Sequence, residues 1–266
     1  MIPSGLRKFT QLVRLLPQHP GEFWDRVSTV VEVRRENCAP PRYRPVQFQD
    51  AVKLLQQALG RDLAPILRES ALVDIEKQLV VRTESLSQVA PFGLFHNGDF
   101  ALARFCYLAC RALQPRVALE TGVAYGVTTS FVLKAMAQQG TGELLSIDLP
   151  PLGSAADSFV GFLVPEELRS RWRLYRGQSK RVLPALLRNL ESVDLFIHDS
   201  LHTYRNMTWE FKEAWSRLRK GGLLISDDVN QNCAFDDFVE EVSPLFWAVV
   251  KETSKNAAFG IARKAL

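Results

Sequence analysis

The chain has 266 residues and a formal net charge of +4, with 47% hydrophobic and 23% charged residues. These values are typical of a globular protein and exclude a disordered or fibrous chain. No apolar run approaches the ~18–20 residues of a membrane-spanning helix. The basic, amphipathic start lacks the apolar core and cleavage site of a secretory signal. We therefore expect a cytoplasmic protein without a membrane span.

The positive charge is concentrated in the first part of the chain. Residues 1–116 hold 16 Lys and Arg against 11 Asp and Glu, whereas residues 117–266 hold 17 against 18. Such an excess can favour an anionic partner. Because the basic residues are not clustered among aromatic ones, we expect a solvated helical surface and no nucleic-acid partner.

The cysteines show no Cys-x-x-Cys spacing. They are Cys38, Cys106, Cys110 and Cys233. Cys106 and Cys110 lie one helical turn apart in an apolar stretch. The pattern predicts buried free thiols in a reducing compartment.

The first hundred residues show helical periodicity interrupted by Pro and Gly. The predicted helices are Leu6–Leu16, Glu22–Glu36, Phe48–Leu59 and Leu63–Val80, followed by Phe100–Leu113. We expect residues 1–91 to form a helical segment that acts as a lid or an interface. Residues 92–266 are then the main domain.

From Val117 onward, short apolar strands alternate with helices, which is typical of a parallel sheet covered by helices. The predicted strands are Val117–Glu120, Glu143–Asp148, Trp172–Arg176, Val193–His198 and Leu223–Ser226. The predicted helices are Thr128–Gln138, Pro165–Arg171, Lys180–Leu190, Tyr204–Leu218 and Phe235–Val242. A terminal hairpin is predicted from Leu245–Lys251 and Ala257–Arg263 with a turn at Thr253–Asn256. The fold class is a doubly wound α/β domain.

The stretch V-A-L-E-T-G-V-A-Y-G-V-T-T joins the first strand to a helix and contains Gly122 and Gly126. Glycines at such a turn let the backbone approach a ligand, and the helix start near Thr128 offers free N–H groups. The spacing is G-x-x-x-G, so the dinucleotide pattern G-x-G-x-x-G is absent. The alternative is a tight strand-to-helix connection without a ligand.

Asp148 ends the second predicted strand. An acid at this position can accept both hydroxyls of a ribose, a placement shared by nicotinamide cofactors and S-adenosylmethionine. The alternative is a carboxylate that caps a turn.

Polar residues also follow the fourth and fifth strands, in I-H-D-S-L-H-T-Y and in R-K-G-G-L-L-I-S-D-D-V. Asp199, Asp227 and Asp228 would meet at one sheet edge, where three carboxylates indicate a hard cation or a shared proton. The alternative is acids that face solvent on loops.

These four motifs, in this order, resemble class I S-adenosylmethionine-dependent methyltransferases over about residues 92–266. Within the class the chain looks most like the small-molecule O-methyltransferase branch with a D-G-x-H-x-Y motif. It is similar to the metal-dependent catechol and macrocin enzymes and to cephalosporin-hydroxylase-like proteins. The resemblance implies a Rossmann-like seven-stranded sheet of order 3-2-1-4-5-7-6 with strand 7 antiparallel. Ser200 replaces the motif glycine, and His198 precedes Asp199.

The resemblance also implies a set of site residues. The cofactor S-adenosyl-L-methionine would be bound by Glu120, Gly122, Gly126, Thr128, Asp148, Gln178, Ser179 and Asp199. A divalent cation, Mg²⁺ or a similar ion, would be held by Asp199, Asp227 and Asp228. Asp199 and His202 would be catalytic, with His202 taking the proton; a purely structural histidine is the alternative.

The expected reaction is metal-assisted methylation of a hydroxylated small molecule, such as a sugar or a natural-product glycoside. A metal-independent methyltransferase and a cofactor-binding protein without turnover remain alternatives. A nicotinamide-dependent oxidoreductase is disfavoured because both G-x-G-x-x-G and Tyr-x-x-x-Lys are missing. His96 and Asn97 are expected to cap the next helix, with closure over the cofactor as the alternative. The sequence leaves a homo-oligomer open.

Overall fold

The computed structural model describes residues 4–94, 99–153, 155–252 and 256–266. His96, Asn97 and most of the predicted hairpin turn at Thr253–Asn256 lie outside these ranges. No helix in the described parts of the chain is long and apolar enough to cross a membrane.

A seven-stranded sheet with the order β3-β2-β1-β4-β5-β7-β6 forms the centre of the fold. The strands are β1 (Val117–Thr121), β2 (Glu143–Asp148), β3 (Trp172–Arg176), β4 (Val193–His198), β5 (Leu218–Ser226), β6 (Phe246–Lys251) and β7 (Ala258–Arg263). Strands β1 to β5 are parallel, and β7 runs antiparallel to both β5 and β6. The predicted fold class and strand order are therefore confirmed. Strand β5 begins at Leu218, earlier than predicted.

The helices follow the predicted pattern with two differences. They are α1 (Ser4–Gln18), α2 (Pro20–Arg34), α3 (Phe48–Leu59), α4 (Ser70–Leu86), α5 (Phe100–Leu113), α6 (Val127–Gln139), α7 (Ser179–Asn189), α8 (Tyr204–Arg217) and α9 (Ala234–Val242). The predicted helix Leu63–Val80 is wrong, because extended backbone at Glu69 separates a 3-10 turn at Ile66–Arg68 from α4. The predicted helix Pro165–Arg171 is a 3-10 helix at Glu166–Arg171.

The sheet separates two apolar cores, because side chains along each strand alternate between its faces. Ala118 of β1 packs in a core with residues of α5 and α6, whereas Leu119 packs in a core with residues of α7, α8 and α9. In β4, Ile197 packs in the first of these cores and Phe196 in the second. Both faces of the sheet are covered, which explains why its strands read as continuous apolar runs.

Helices α3 and α4 share the first of these cores. Leu55 and Ile75 are fully buried and belong to the same cluster as residues of α5 and α6. Helices α1 and α2 pack mainly on each other, and α2 contributes no buried residue. The domain boundary after residue 91 stays a prediction.

The turn after β1 passes close to the end of β4. Gly122 has φ +85°, and a Cβ atom added there would lie 1.8 Å from the carbonyl oxygen of Asp199. Gly140 has a similar φ of +75°, but a Cβ added to it would meet nothing within 4 Å. The two glycines therefore separate the cost of backbone strain from the cost of a collision.

We expect Gly140→Ala to lower the free energy of unfolding by about 1–2 kcal/mol, from backbone strain alone. Gly122→Ala adds a collision between backbone atoms of two central strands and should cost at least about 3 kcal/mol. Urea unfolding of both variants measures the difference. Equal losses in the two variants would contradict the close approach.

Candidate active site

A cavity of about 1080 Å³ opens at the carboxyl ends of β1, β2, β4 and β5. Eight of the predicted site residues line it: Gly122, Asp148, Gln178, Ser179, Asp199, His202, Asp227 and Asp228. The other three, Glu120, Gly126 and Thr128, lie deeper in the fold and are described below. Most of the predicted site is thus brought together at the edge of a parallel sheet where α/β proteins bind ligands.

Asp148 holds the glycine turn in place from the tip of β2. Its Oδ2 atom accepts hydrogen bonds from the backbone N–H groups of Val123 (2.6 Å) and Ala124 (2.8 Å). Burial raises the pKa of Asp148, although these two N–H groups act in the opposite direction. Ala124 has φ +47°, where many nucleotide-binding loops carry glycine. The carboxylate therefore both shapes the turn and faces the cavity.

Glu120 is fully buried and links β1 to α6 and β2. Its carboxylate accepts hydrogen bonds from the hydroxyls of Thr129 (2.9 Å) and Ser146 (2.7 Å). Ser146 is itself positioned by the indole N–H of Trp172, at 2.9 Å. Burial raises the pKa of Glu120 to about 7, against the effect of the two hydroxyls. These contacts place the side chain behind the turn, among groups that hold the fold.

Gly126 and Thr128 lie where the turn enters α6. A Cβ added to Gly126 would come within 2.9 Å of both Gly161 Cα and Val164 Cγ2. The segment after β2 packs here, and the Gly161 N–H donates to the Ala124 carbonyl oxygen at 2.9 Å. Thr128 is 4% exposed, and its hydroxyl has no hydrogen-bond partner within the described ranges. Gly126 thus lets the segment after β2 pack against the turn. The predicted role of Gly126 is a contact with the cofactor, which is a different one.

His202 stands between two of the predicted metal-binding acids. Its Nδ1 atom lies 3.3 Å from Asp228 Oδ2, and its Nε2 atom lies 3.7 Å from Asp199 Oδ1. Asp228 adopts a left-handed backbone with φ +49°, and its carboxylate also accepts from Gln231 Nε2 at 2.8 Å. The arrangement stabilises a positive charge on the imidazole.

The same arrangement does not fit a metal ion. Asp227 borders the cavity but is only 3% exposed, while Asp199 and Asp228 face an imidazole. Over residues 4–94, 99–153, 155–252 and 256–266, no group of three or more His, Cys, Asp or Glu side chains could hold a metal. A proton taken up by a neutral His202 would supply the positive charge that the pair of carboxylates would otherwise require from a cation.

The sequence analysis missed Glu210, a fully buried carboxylate on α8. Its Oε2 atom contacts His198 Nδ1 (2.7 Å) and accepts from the Thr121 hydroxyl (2.5 Å). Its Oε1 atom accepts from the Ser200 hydroxyl (2.8 Å) and Asn206 Nδ2 (3.0 Å). Burial acts to raise the pKa of Glu210, but the charge and hydrogen bond of His198 lower it overall. The carboxylate therefore fixes the loop between β4 and α8 that carries Asp199 and His202.

Helical spacing could have revealed this acid. Glu210 lies three residues after Met207 and four before Ala214, and both are buried. It therefore shares the inward face of α8 with apolar residues. A carboxylate on that face must find polar partners within the fold.

Helix α2 covers the cavity with an acidic face. Four of its contacts with the sheet domain are Glu22–Arg176 (2.6 Å), Asp25–Arg181 (2.6 Å), Glu32–Lys180 (2.5 Å) and Thr29 Oγ1 accepting from Gln178 Nε2 (3.1 Å). The Arg26 guanidinium donates to the Pro150 carbonyl oxygen at 2.9 Å. The predicted role of residues 1–91 as a lid or an interface stays a prediction.

The sheet order and the position of the cavity define a Rossmann-like methyltransferase fold. Residues 119–229 match the family model described as a methyltransferase domain. The resemblance to class I S-adenosylmethionine-dependent methyltransferases is therefore confirmed for this part of the chain. None of the curated proteins that were compared matches the chain.

Solved structures with the same fold include several O-methyltransferases. The O-methyltransferase from Bacillus cereus in complex with SAH is 14% identical, with a TM-score of 0.54 over 81% of this chain and 97% of that chain. A putative O-methyltransferase from Klebsiella pneumoniae is 17% identical, with a TM-score of 0.56 over 82% and 97%. TomG from Streptomyces achromogenes, an O-methyltransferase of tomaymycin synthesis in complex with SAM, is 15% identical, with a TM-score of 0.54 over 82% and 96%. At these identities the likeness concerns the fold.

The raised pKa of Glu120 makes stability depend on pH. Between the ordinary value of 4.5 and about 7, the folded protein retains a proton that the unfolded chain releases, so stability falls as pH rises through this window. In the native protein the free energy of unfolding should fall by on the order of 3 kcal/mol between pH 4.5 and pH 8, and Glu120→Gln should abolish this fall. Urea unfolding at both pH values measures it. Exposed Glu167→Gln is the control, and an unchanged pH dependence in Glu120→Gln would contradict the assignment.

Proposed function

We propose that this protein transfers the methyl group of S-adenosylmethionine to a hydroxyl oxygen of a small molecule. One observation carries the proposal: a single cavity contains the Asp148-anchored turn and, beside it, His202 between two carboxylates. The turn is suited to binding the nucleoside of the cofactor, and His202 is suited to removing a proton from the acceptor. Each has its own test.

The residues around the turn fit a nucleoside cofactor with a sulfonium group. Gly122 has no side chain where the backbone borders the cavity, and Asp148 offers its carboxylate to ribose hydroxyls. Gln178 and Ser179 line the next part of the wall, where adenine would lie. When bound, S-adenosylmethionine supplies a methyl group on a positively charged sulfur. Because the transfer is an in-line displacement, the chain contributes mainly by positioning the two reactants.

His202 would take the proton of the acceptor hydroxyl. As the oxygen forms its bond to the methyl carbon, the carbon–sulfur bond breaks and the hydroxyl proton moves to the imidazole. Asp228 and Asp199 would stabilise the resulting imidazolium, with Asp228 also orienting the ring. Glu210 would keep the loop in this geometry through Ser200 and Asn206.

Metal assistance was the mechanism expected from the sequence. It would require Asp199, Asp227 and Asp228 to turn toward one ion and His202 to leave its position between two of them. The observed contacts favour the imidazole as the positive group, so we propose proton transfer to His202 without a metal ion. Full dependence of turnover on Mg²⁺, with loss of turnover in excess chelator, would contradict this choice.

Cofactor binding tests the first half of the proposal. Asp148→Ala should weaken binding of S-adenosylhomocysteine by ~1.5–3 kcal/mol, because it removes hydrogen bonds to a charged group. Calorimetry measures the dissociation constant, with exposed Asp74→Ala as the control. Tight binding of NAD without binding of S-adenosylhomocysteine would contradict the proposed cofactor.

Proton transfer tests the second half. His202→Gln should lower kcat by roughly 10²–10⁴-fold, the usual contribution of a general base, while leaving the affinity for S-adenosylhomocysteine nearly unchanged. Turnover is measured with labelled S-adenosylmethionine and a panel of sugars, glycosides and other hydroxylated acceptors. An unchanged kcat would reduce His202 to a structural role. Cofactor binding without turnover on any acceptor would favour a protein that binds the cofactor without catalysis.

The expected cytoplasmic location also stays a prediction. Fractionation of cells that produce the protein tests it. The same material, examined by light scattering, tests for a homo-oligomer.

A further inference from the structure

We propose that the acceptor presents an apolar body, a ring system or an alkyl chain, to helices α1 and α2. This inference rests on the proposed function and names its substrate class. The cavity wall contributed by the two helices includes the apolar side chains Phe9, Leu12, Val30 and Val33. Phe9, Val30 and Val33 are 62%, 48% and 51% exposed, so their surface is available to a ligand. Burial of such surface favours binding of an apolar group.

Another part of the cavity wall is polar. His202, Asp228 and Asn206 line it, and His202 is the proposed site of proton removal. An acceptor that fills the cavity therefore needs a hydroxyl that faces His202 and an apolar surface that faces the side chains of α1 and α2. A free sugar carries hydroxyls on all sides, and those facing the apolar side chains of α1 and α2 would lose water without gaining partners.

Two charged groups that line the cavity, one on α2 and one just beyond it, already have partners. Arg26 bonds to Glu22 and to the Pro150 carbonyl oxygen. Glu36, just beyond α2, accepts a hydrogen bond from the Tyr204 backbone N–H at 2.7 Å. Arg26 and Glu36 are thus engaged in holding the helix on the domain. Arg34 is exposed at the same wall, and the apolar contact to the ligand there comes from the two valines.

Binding to the protein saturated with S-adenosylhomocysteine tests the inference without requiring turnover. We expect 2-naphthol to bind at least about tenfold more tightly than methyl glucoside, measured by calorimetry. Val30→Asn should weaken 2-naphthol binding by about threefold to tenfold. Val31→Asn is the matched control, because Val31 is 41% exposed on the same helix and Val30 faces the cavity.

Tighter binding of methyl glucoside, or equal effects of Val30→Asn and Val31→Asn, would overturn the apolar acceptor. These results are distinguishable from failure of the proposed function, which would appear first as absence of S-adenosylhomocysteine binding.

A separate observation concerns Cys38 and Cys233. Their sulfur atoms lie 3.0 Å apart, although the residues are 195 positions apart in the chain, and both thiols are free. We infer that the pair is a disulfide-forming site that links the segment after α2 to the start of α9. The prediction of free thiols is confirmed for all four cysteines, and the prediction of burial for all but Cys38, which is half-buried.

The two chain segments that carry Cys38 and Cys233 are held together by further contacts. The Arg42 backbone N–H donates to Asp236 Oδ2 at 2.6 Å, and the Arg42 guanidinium pairs with Asp237 and Glu240. Val46 forms a bridge with Val250 of β6. Because these contacts fix the two segments, only a small movement of the sulfur atoms is needed to form a bond.

An oxidised low-molecular-weight disulfide would drive the reaction. The Cys38 thiolate attacks one of its sulfur atoms and releases one thiol, and Cys233 then attacks the Cys38 sulfur and releases the second thiol. Both protein thiols lose their protons, and the reagent is reduced to two thiols. Burial and the neighbouring Cys38 raise the pKa of Cys233 to about 12, which leaves the more exposed Cys38 as the first to react.

Incubation of the full-length protein with oxidised glutathione tests the site. Peptide mass mapping should find Cys38 joined to Cys233 and a loss of two hydrogen masses, while fully buried Cys106 and Cys110 stay reduced. The midpoint of thermal unfolding should rise by several degrees in the oxidised protein, and dithiothreitol should reverse the change. Cys38→Ser should abolish both effects. A lasting mixed disulfide on Cys38, or unmodified thiols throughout, would overturn the inference.

Discussion

The close approach of Gly122 to the Asp199 backbone is the constraint on which the site depends. The Asp199 N–H donates to the Thr121 carbonyl oxygen at 2.7 Å, and the Gly122 N–H donates to the Ile147 carbonyl oxygen at 2.8 Å. The carboxyl ends of β1, β2 and β4 are therefore tied together at one point. The turn after β1 can then receive a ligand beside the loop that carries His202.

Two buried carboxylates support this junction in opposite ways. Glu120 accepts hydrogen bonds from two hydroxyls, which lower its pKa. Burial has the larger effect and raises the pKa to about 7. Glu210 contacts the imidazole of His198, and its pKa is lowered. One acid thus binds the turn and β2 together while only partly ionised at neutral pH, whereas the other, as a carboxylate, holds the loop that carries Asp199 and His202. Neither side chain needs to touch a substrate for the site to depend on it.

Strand positions and the sheet order were accessible from the sequence because buried parallel strands are continuous apolar runs between helical segments. The ends of those strands also located Asp148, Asp199 and His202 at one edge. The contacts that each side chain makes there were not accessible. Asp227 and Asp228 are adjacent in sequence, yet one is buried and the other faces His202, because the left-handed backbone of Asp228 redirects the chain.

Long-range contacts explain the other differences. Glu22, Asp25 and Glu32 look like a solvated helical face in the sequence, but Arg176, Arg181 and Lys180 meet them from distant segments. A composition analysis cannot pair charges that lie about 150 residues apart. The same holds for Cys38 and Cys233, whose spacing alone suggests no relation.

The central claim is that one cavity receives the cofactor at the Asp148-anchored turn and the acceptor at His202. A crystal structure with S-adenosylhomocysteine bound tests it most directly. The account predicts ribose hydroxyls within hydrogen-bond distance of Asp148 and the cofactor sulfur directed toward the side of the cavity that His202 lines. A ligand bound elsewhere, or one whose sulfur points away from His202, would contradict it.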